Sequence, residues 1–121
     1  MEFLAVGLGG LAGSCLRHLV NLLCRVPNQV FPASTLIVNI LASFLVGLVF
    51  GLEFGGLGVP PRLRLFVVTG FLGGFSTMSA FGIETVLIWE KNVPLACLNV
   101  LLNFAPCLLA VAGGLALGRR W

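Results

Sequence analysis

The sequence predicts an all-α membrane protein: one domain over residues 1–121, with four transmembrane helices and a third helix broken near its middle. Three observations lead there. Hydrophobic residues make up 59% of the 121 and charged residues only 9%, against about 25% charged in a soluble domain. The mean hydropathy is +1.11. The apolar residues also fall into four long runs separated by short, breaker-rich connections.

The spans run from Phe3 to Cys24, Ala33 to Leu52, Leu63 to Trp89 and Pro94 to Gly118. Each reaches the ~20 residues that a helix needs to cross ~30 Å of hydrocarbon. Arg25-Val26-Pro27-Asn28, Gly55 to Pro61 and Glu90-Lys91-Asn92 connect them, and Trp89 and Trp121 stand at span ends, where indole favours the interface. The opening segment reads as a span, because it starts on acidic Glu2 and lacks a basic leader. Cys15, Cys24, Cys97 and Cys107 have no CxxC spacing and read as free thiols that pack as small residues.

Charge gives orientation and excludes partners. With four spans the termini share one side, which holds Arg62, Arg64, Arg119 and Arg120; Arg25 and Lys91 lie opposite, with Arg17 near that end of the first span. So weak a bias lets a small protein insert both ways up, and two inverted copies can pair antiparallel around a route that one thin bundle has no room for. Nucleic acid is no partner of arginines scattered among apolar runs. No nucleophile–base or metal-ligand constellation is present, so an enzyme is not expected.

The third span is the least uniform. Residues 69–84, TGFLGGFSTMSAFGIE, set Gly70, Gly73, Gly74 and Gly82 beside Ser76, Thr77 and Ser79. Glycine lets a backbone leave helical geometry. In a bilayer such a break survives only when it is buried in protein or lines a wet cavity, and breaks near the midplane hold ions in transporters. The expectation is an ion site at a Gly73–Ser76 break.

Other polar residues fall into register with it. Gly9, Gly10 and Gly13 share a helical face with Ser14 and suit close helix packing. Arg17 either lines an anion vestibule or snorkels to the interface; His18, on another face, reads as interfacial. Asn39 and Ser43 share a face of the second span. A buried carboxamide is costly unless paired, so Asn39 either glues helices or offers two N–H donors to an anion. Asn99, Asn103 and Cys107 form a polar stripe on the fourth span. Glu84 sits at a pore mouth or pairs with Arg17 or Lys91.

The succession GGLAGSCLRH, STLIVN and GFLGGFSTMSAFGIE resembles the fluoride ion channel family, over essentially the whole chain; the third motif is the specific one. The resemblance implies an antiparallel, dual-topology dimer in the plasma (inner) membrane, with two pores that passively export cytosolic fluoride. It also implies a structural sodium ion on the dimer axis, held by the carbonyls of Gly73 and Ser76, and a pore-lining pair at Met78 and Phe81. The expected fluoride route comprises Asn39, Ser43, Thr77, Met78, Ser79, Phe81, Asn99 and Asn103. Met78 and Ala80 depart from the family's usual phenylalanine and threonine, so conduction is expected to persist at a changed rate. Alternatives are a heterodimer with a paralogous chain and a small dual-topology multidrug or guanidinium exporter. The exporter class uses a first-span carboxylate, and this first span has none beyond Glu2.

Overall fold

A computed structural model describes residues 1–121 and contains helices only. Helix α1 spans Glu2–Leu23 and α2 spans Ala33–Phe54. The third span is divided. Its first half, α3 (residues 61–75), begins as an ordinary helix at Pro61–Arg64, is wound as a π-helix over Leu65–Leu72 and closes at Gly73–Phe75. Its second half, α4, is Met78–Trp89, and α5 is Val93–Gly118. Four segments are thus long and apolar enough to cross a membrane, within two residues of the expected spans.

Local chemistry sets the helix starts. Pro61 supplies the first turn of α3, where a missing N–H costs nothing. Asn92 caps α5 by accepting the Leu95 amide at 3.1 Å, and Thr77 caps α4 by accepting the Ala80 amide at 3.2 Å. Such caps satisfy N–H groups that no helical carbonyl reaches.

Two tight helix pairs build the bundle: α2 with α5, and α1 with α3. Small residues make both possible. A Cβ on Gly47 would strike the Val111 carbonyl and one on Gly114 the Phe44 carbonyl; Gly51 and Gly118 are hemmed in the same way by the backbones of α5 and α2. In the other pair Gly9, Gly13, Gly70 and Gly74 occupy equally close crossings. Lipid supplies no hydrophobic drive for helix association, so backbone contact through small residues does that work. A small core of Val38, Ala42, Leu72 and Phe75 joins the pairs. Only 17 of 121 residues are buried and large apolar side chains cover the outside, so most of the surface is left for lipid or a second chain.

The glycines do not make the break. Gly73 keeps helical dihedrals of φ −64° and ψ −37°. The chain becomes extended at Ser76 (ψ 156°) and Thr77 (φ −150°, ψ 109°). Gly74 instead lets α3 approach Gly10 of α1. The interruption expected at Gly73–Ser76 therefore lies at Ser76–Thr77. The cysteines are free, but Cys15 and Cys97 are exposed, so these two do not pack inside the chain as expected.

Candidate functional site

The break presents two unlike ends. Thr77 gives its N–H to Asn39, and Ser76 gives its N–H to the Leu72 carbonyl. The carbonyls of Gly73 and Ser76 consequently accept no hydrogen bond within the chain, and the amides of Met78 and Ser79 in the first turn of α4 have no acceptor. A helix C-terminus carries partial negative charge and a helix N-terminus partial positive charge. One side of this break suits a cation and the other an anion.

Each end opens on its own depression. Gly73 and Ser76 line a cleft of about 210 Å³ with Ser43, Ala42, Val46 and Leu72 among its walls. Unpaired main-chain oxygens beside a serine hydroxyl are donors of the kind that sodium takes, so the residues present fit such an ion. Beyond the break lies a groove of about 270 Å³ walled by Asn39, Ser43, Ser76, Thr77, Met78, Phe81, Asn103, Phe104 and Cys107. Ser43 lines both, and its hydroxyl makes no hydrogen bond within the chain.

Asn39 clamps the interruption. Its Oδ1 accepts the Thr77 amide at 2.9 Å, and its Nδ2 donates to the Thr77 carbonyl at 3.3 Å and to Asn103 Oδ1 at 3.2 Å. The carboxamide thus supplies the pairing that Thr77 lost on leaving the helix, which a buried main chain requires. Asn103 donates to the carbonyl of Asn99 at 3.0 Å and to its Oδ1 at 3.1 Å. Asn99 is fully buried behind the groove and forms no part of its wall.

The apolar part of the wall is Met78, exposed, and Phe81, buried. Phe81 meets Phe104 edge to face at 5.8 Å, an arrangement that matches a positive ring edge to a negative ring face.

Arg17 does not reach this groove. It lines a second depression of about 460 Å³ between α1 and α4, with Ser14, His18, Asn21, Thr77, Ser79 and Ala80. It forms no ion pair; the one salt bridge joins Arg64 to Glu53 at 3.6 Å. Glu84 pairs with neither Arg17 nor Lys91. Its Oε1 accepts the Thr35 hydroxyl at 2.8 Å, while its Oε2 is buried without a partner. Glu84 and Lys91 do share a third depression of about 420 Å³ with Gln29, Ser34 and Asn92.

Sequence reasoning passed over Thr35, Thr85 and Phe104. Thr85 donates to the Phe81 carbonyl at 2.7 Å and accepts from Asn99 at 2.8 Å. Its one available signal was spacing: Thr85 lies four residues after Phe81 and eight after Thr77, on the face that opens the break.

Comparison with known proteins agrees with this architecture. Residues 4–115 match the family described as CrcB-like protein, Camphor Resistance (CrcB). The Fluoride-specific ion channel FluC 2 of Nitrobacter hamburgensis is 39% identical, over 99% of this chain and 98% of its own length. The Fluoride-specific ion channel FluC of Agrobacterium fabrum is 41% identical over 95% and 94%. That of Thermococcus gammatolerans is 43% identical over 97% and 95%. With four membrane-length helices, a third span broken between oppositely polarised ends, and a match along nearly its whole length, the chain belongs to the CrcB-like family.

Proposed function

We propose that this chain is a fluoride-specific ion channel of the plasma membrane, built as an antiparallel dimer that lets cytosolic fluoride leave passively. It is a multi-pass membrane protein and not an enzyme. The observation that carries the reading is the Ser76–Thr77 break, which borders a partly polar groove in a chain similar to fluoride channels.

Fluoride is small and firmly hydrated, so a route must replace water by compact donors along its length. The groove offers the unpaired Ser43 hydroxyl, and the first turn of α4 offers the free amides of Met78 and Ser79. The helix dipole makes that turn favourable to anions. The Phe81 ring forms part of the groove wall, and Arg17 supplies positive charge to the depression beside Thr77 and Ser79. A negative-inside membrane potential would drive the anion outward.

The dimer and the cation belong together. Inverted pairing would cover the large exposed apolar surface and bring two breaks face to face. Sodium at the Gly73 and Ser76 carbonyls would meet oxygens that the chain leaves unpaired. Exchanging sodium for choline is then expected to lower the stability of the detergent-solubilised dimer, by about 3 kcal/mol where sodium had stood at a hundredfold its dissociation constant. An unchanged unfolding temperature would remove the cation from the site.

The reading is tested in liposomes loaded with potassium fluoride or potassium chloride, with a potassium ionophore present. Fluoride is expected to leave rapidly and chloride hardly at all; equal retention of both anions would end the channel reading. Met78→Phe is expected to raise fluoride flux a few-fold, because a ring edge meets a bare anion better than a thioether does. A fall in flux would show that the open thioether is the better fit here.

A further inference from the structure

Six residues on three helices form one continuous hydrogen-bonded chain. It starts where the Thr77 amide donates to Asn39 and passes from Asn39 to Asn103 and from Asn103 to Asn99. It then runs from Asn99 to Thr85 and ends where the Thr85 hydroxyl donates to the Phe81 carbonyl. Both ends lie on the start of α4, at its cap and one turn later, and the middle crosses α2 and α5. The main chain at the start of α4 is therefore clamped to two other helices through the side chains of Asn39, Asn103, Asn99 and Thr85.

A carboxamide has two N–H groups. The Nδ2 of Asn39 donates to Thr77 and Asn103, and that of Asn103 donates to the carbonyl and Oδ1 of Asn99. Both carboxamides are thus engaged within the chain. Asn99 and Thr85 do not border the groove at all.

We propose that Thr85 and Asn99 are positioning residues for conduction. Through Asn103 and Asn39 they fix the first turn of α4, and with it Met78 and Phe81 along the groove. The inference rests on the fluoride-channel reading. It assigns Asn99, of the polar stripe on the fourth span, to a framework behind the route, while Asn103 and Cys107 wall the groove. A relay of this kind is stiff because each bond polarises the next. It is also vulnerable, since removing one member leaves a buried group unpaired.

The test uses purified full-length protein in liposomes with a fluoride electrode, each rate taken per correctly folded protein. Thr85→Val removes the distal hydroxyl at nearly constant shape and is expected to lower fluoride turnover about thirtyfold, the worth of the two hydrogen bonds that hydroxyl makes. It should also raise chloride leak relative to fluoride, because the loosened turn widens the route. Thr85→Ser restores the hydroxyl and is expected to stay within about twofold of wild type. Thr69→Val, which removes an exposed hydroxyl, should change nothing. Should Thr85→Val fail to fold, Thr85→Ala makes the same deletion without added bulk. Because both residues act through one chain, Thr85→Val combined with Asn99→Leu should do no more harm than the worse single change.

Full turnover with unaltered selectivity in Thr85→Val would overturn the proposal. So would losses that multiply in the double variant. A wild-type protein that releases no fluoride would sink the channel reading alone. The relay would then be judged by the unfolding temperatures of the same four proteins: non-additive shifts support it and additive shifts overturn it.

Discussion

Asn39→Leu is expected to lower fluoride efflux about a hundredfold while the protein still inserts and pairs. Leucine fills a similar volume but makes none of the three hydrogen bonds by which Asn39 holds Thr77 and Asn103. At about 1 kcal/mol each, they amount to about 3 kcal/mol, or about a hundredfold in rate if the route needs the clamp intact. Thr77 and Asn103 are buried, so the groups left behind lose partners that little water replaces, and the first turn of α4 is expected to move. Efflux from liposomes, set against the dimer fraction on gel filtration, measures the effect. Flux within about threefold of wild type would show that the clamp is dispensable, since each bond is worth about fivefold. Loss of the dimer along with flux would make Asn39 chiefly a helix–helix fastener.

Gly114→Leu is expected to be more damaging still, and to act on the fold. Its Cβ would run into the Phe44 carbonyl of α2 and lie 2.8 Å from the Leu48 amide nitrogen, so the helices must separate. Overpacking by even a methylene or two costs about 1–3 kcal/mol, and a full leucine against backbone has no flexible neighbour to displace. The adjacent Gly113 has nothing within 4 Å of its Cβ position. Gly113→Leu should therefore fold and conduct normally, differing from Gly114→Leu by one residue in sequence and by nearly all of the yield of monodisperse protein. Equal yields from the two variants would refute the close α2–α5 crossing.

These two outcomes also mark how far the residue pattern could be read. The spans were legible because lipid leaves little choice: a segment of about 20 apolar residues must satisfy its own backbone as a helix. Asn39, the serines and the fourth-span stripe were legible as sites because polar groups in hydrocarbon demand partners. Which partners was not. The glycines of the third span looked like the source of the break, yet Gly73 stays helical and Gly74 marks a crossing with α1. Composition cannot tell a glycine that bends a chain from one that admits a neighbour, because both uses exploit the same missing Cβ. Thr85 was invisible for a related reason, since a hydroxyl four residues after Phe81 becomes part of a relay only when Asn99 arrives from another helix.

From the residues alone, then, came the membrane as solvent, the number and limits of the spans, and the region that could not be plain helix, all consequences of short-range demands. The tertiary structure decided where the helix parts and which polar groups face one another. Thr77 can leave helical geometry only because a carboxamide 38 positions away takes over its amide and carbonyl, and no local pattern encodes that distance.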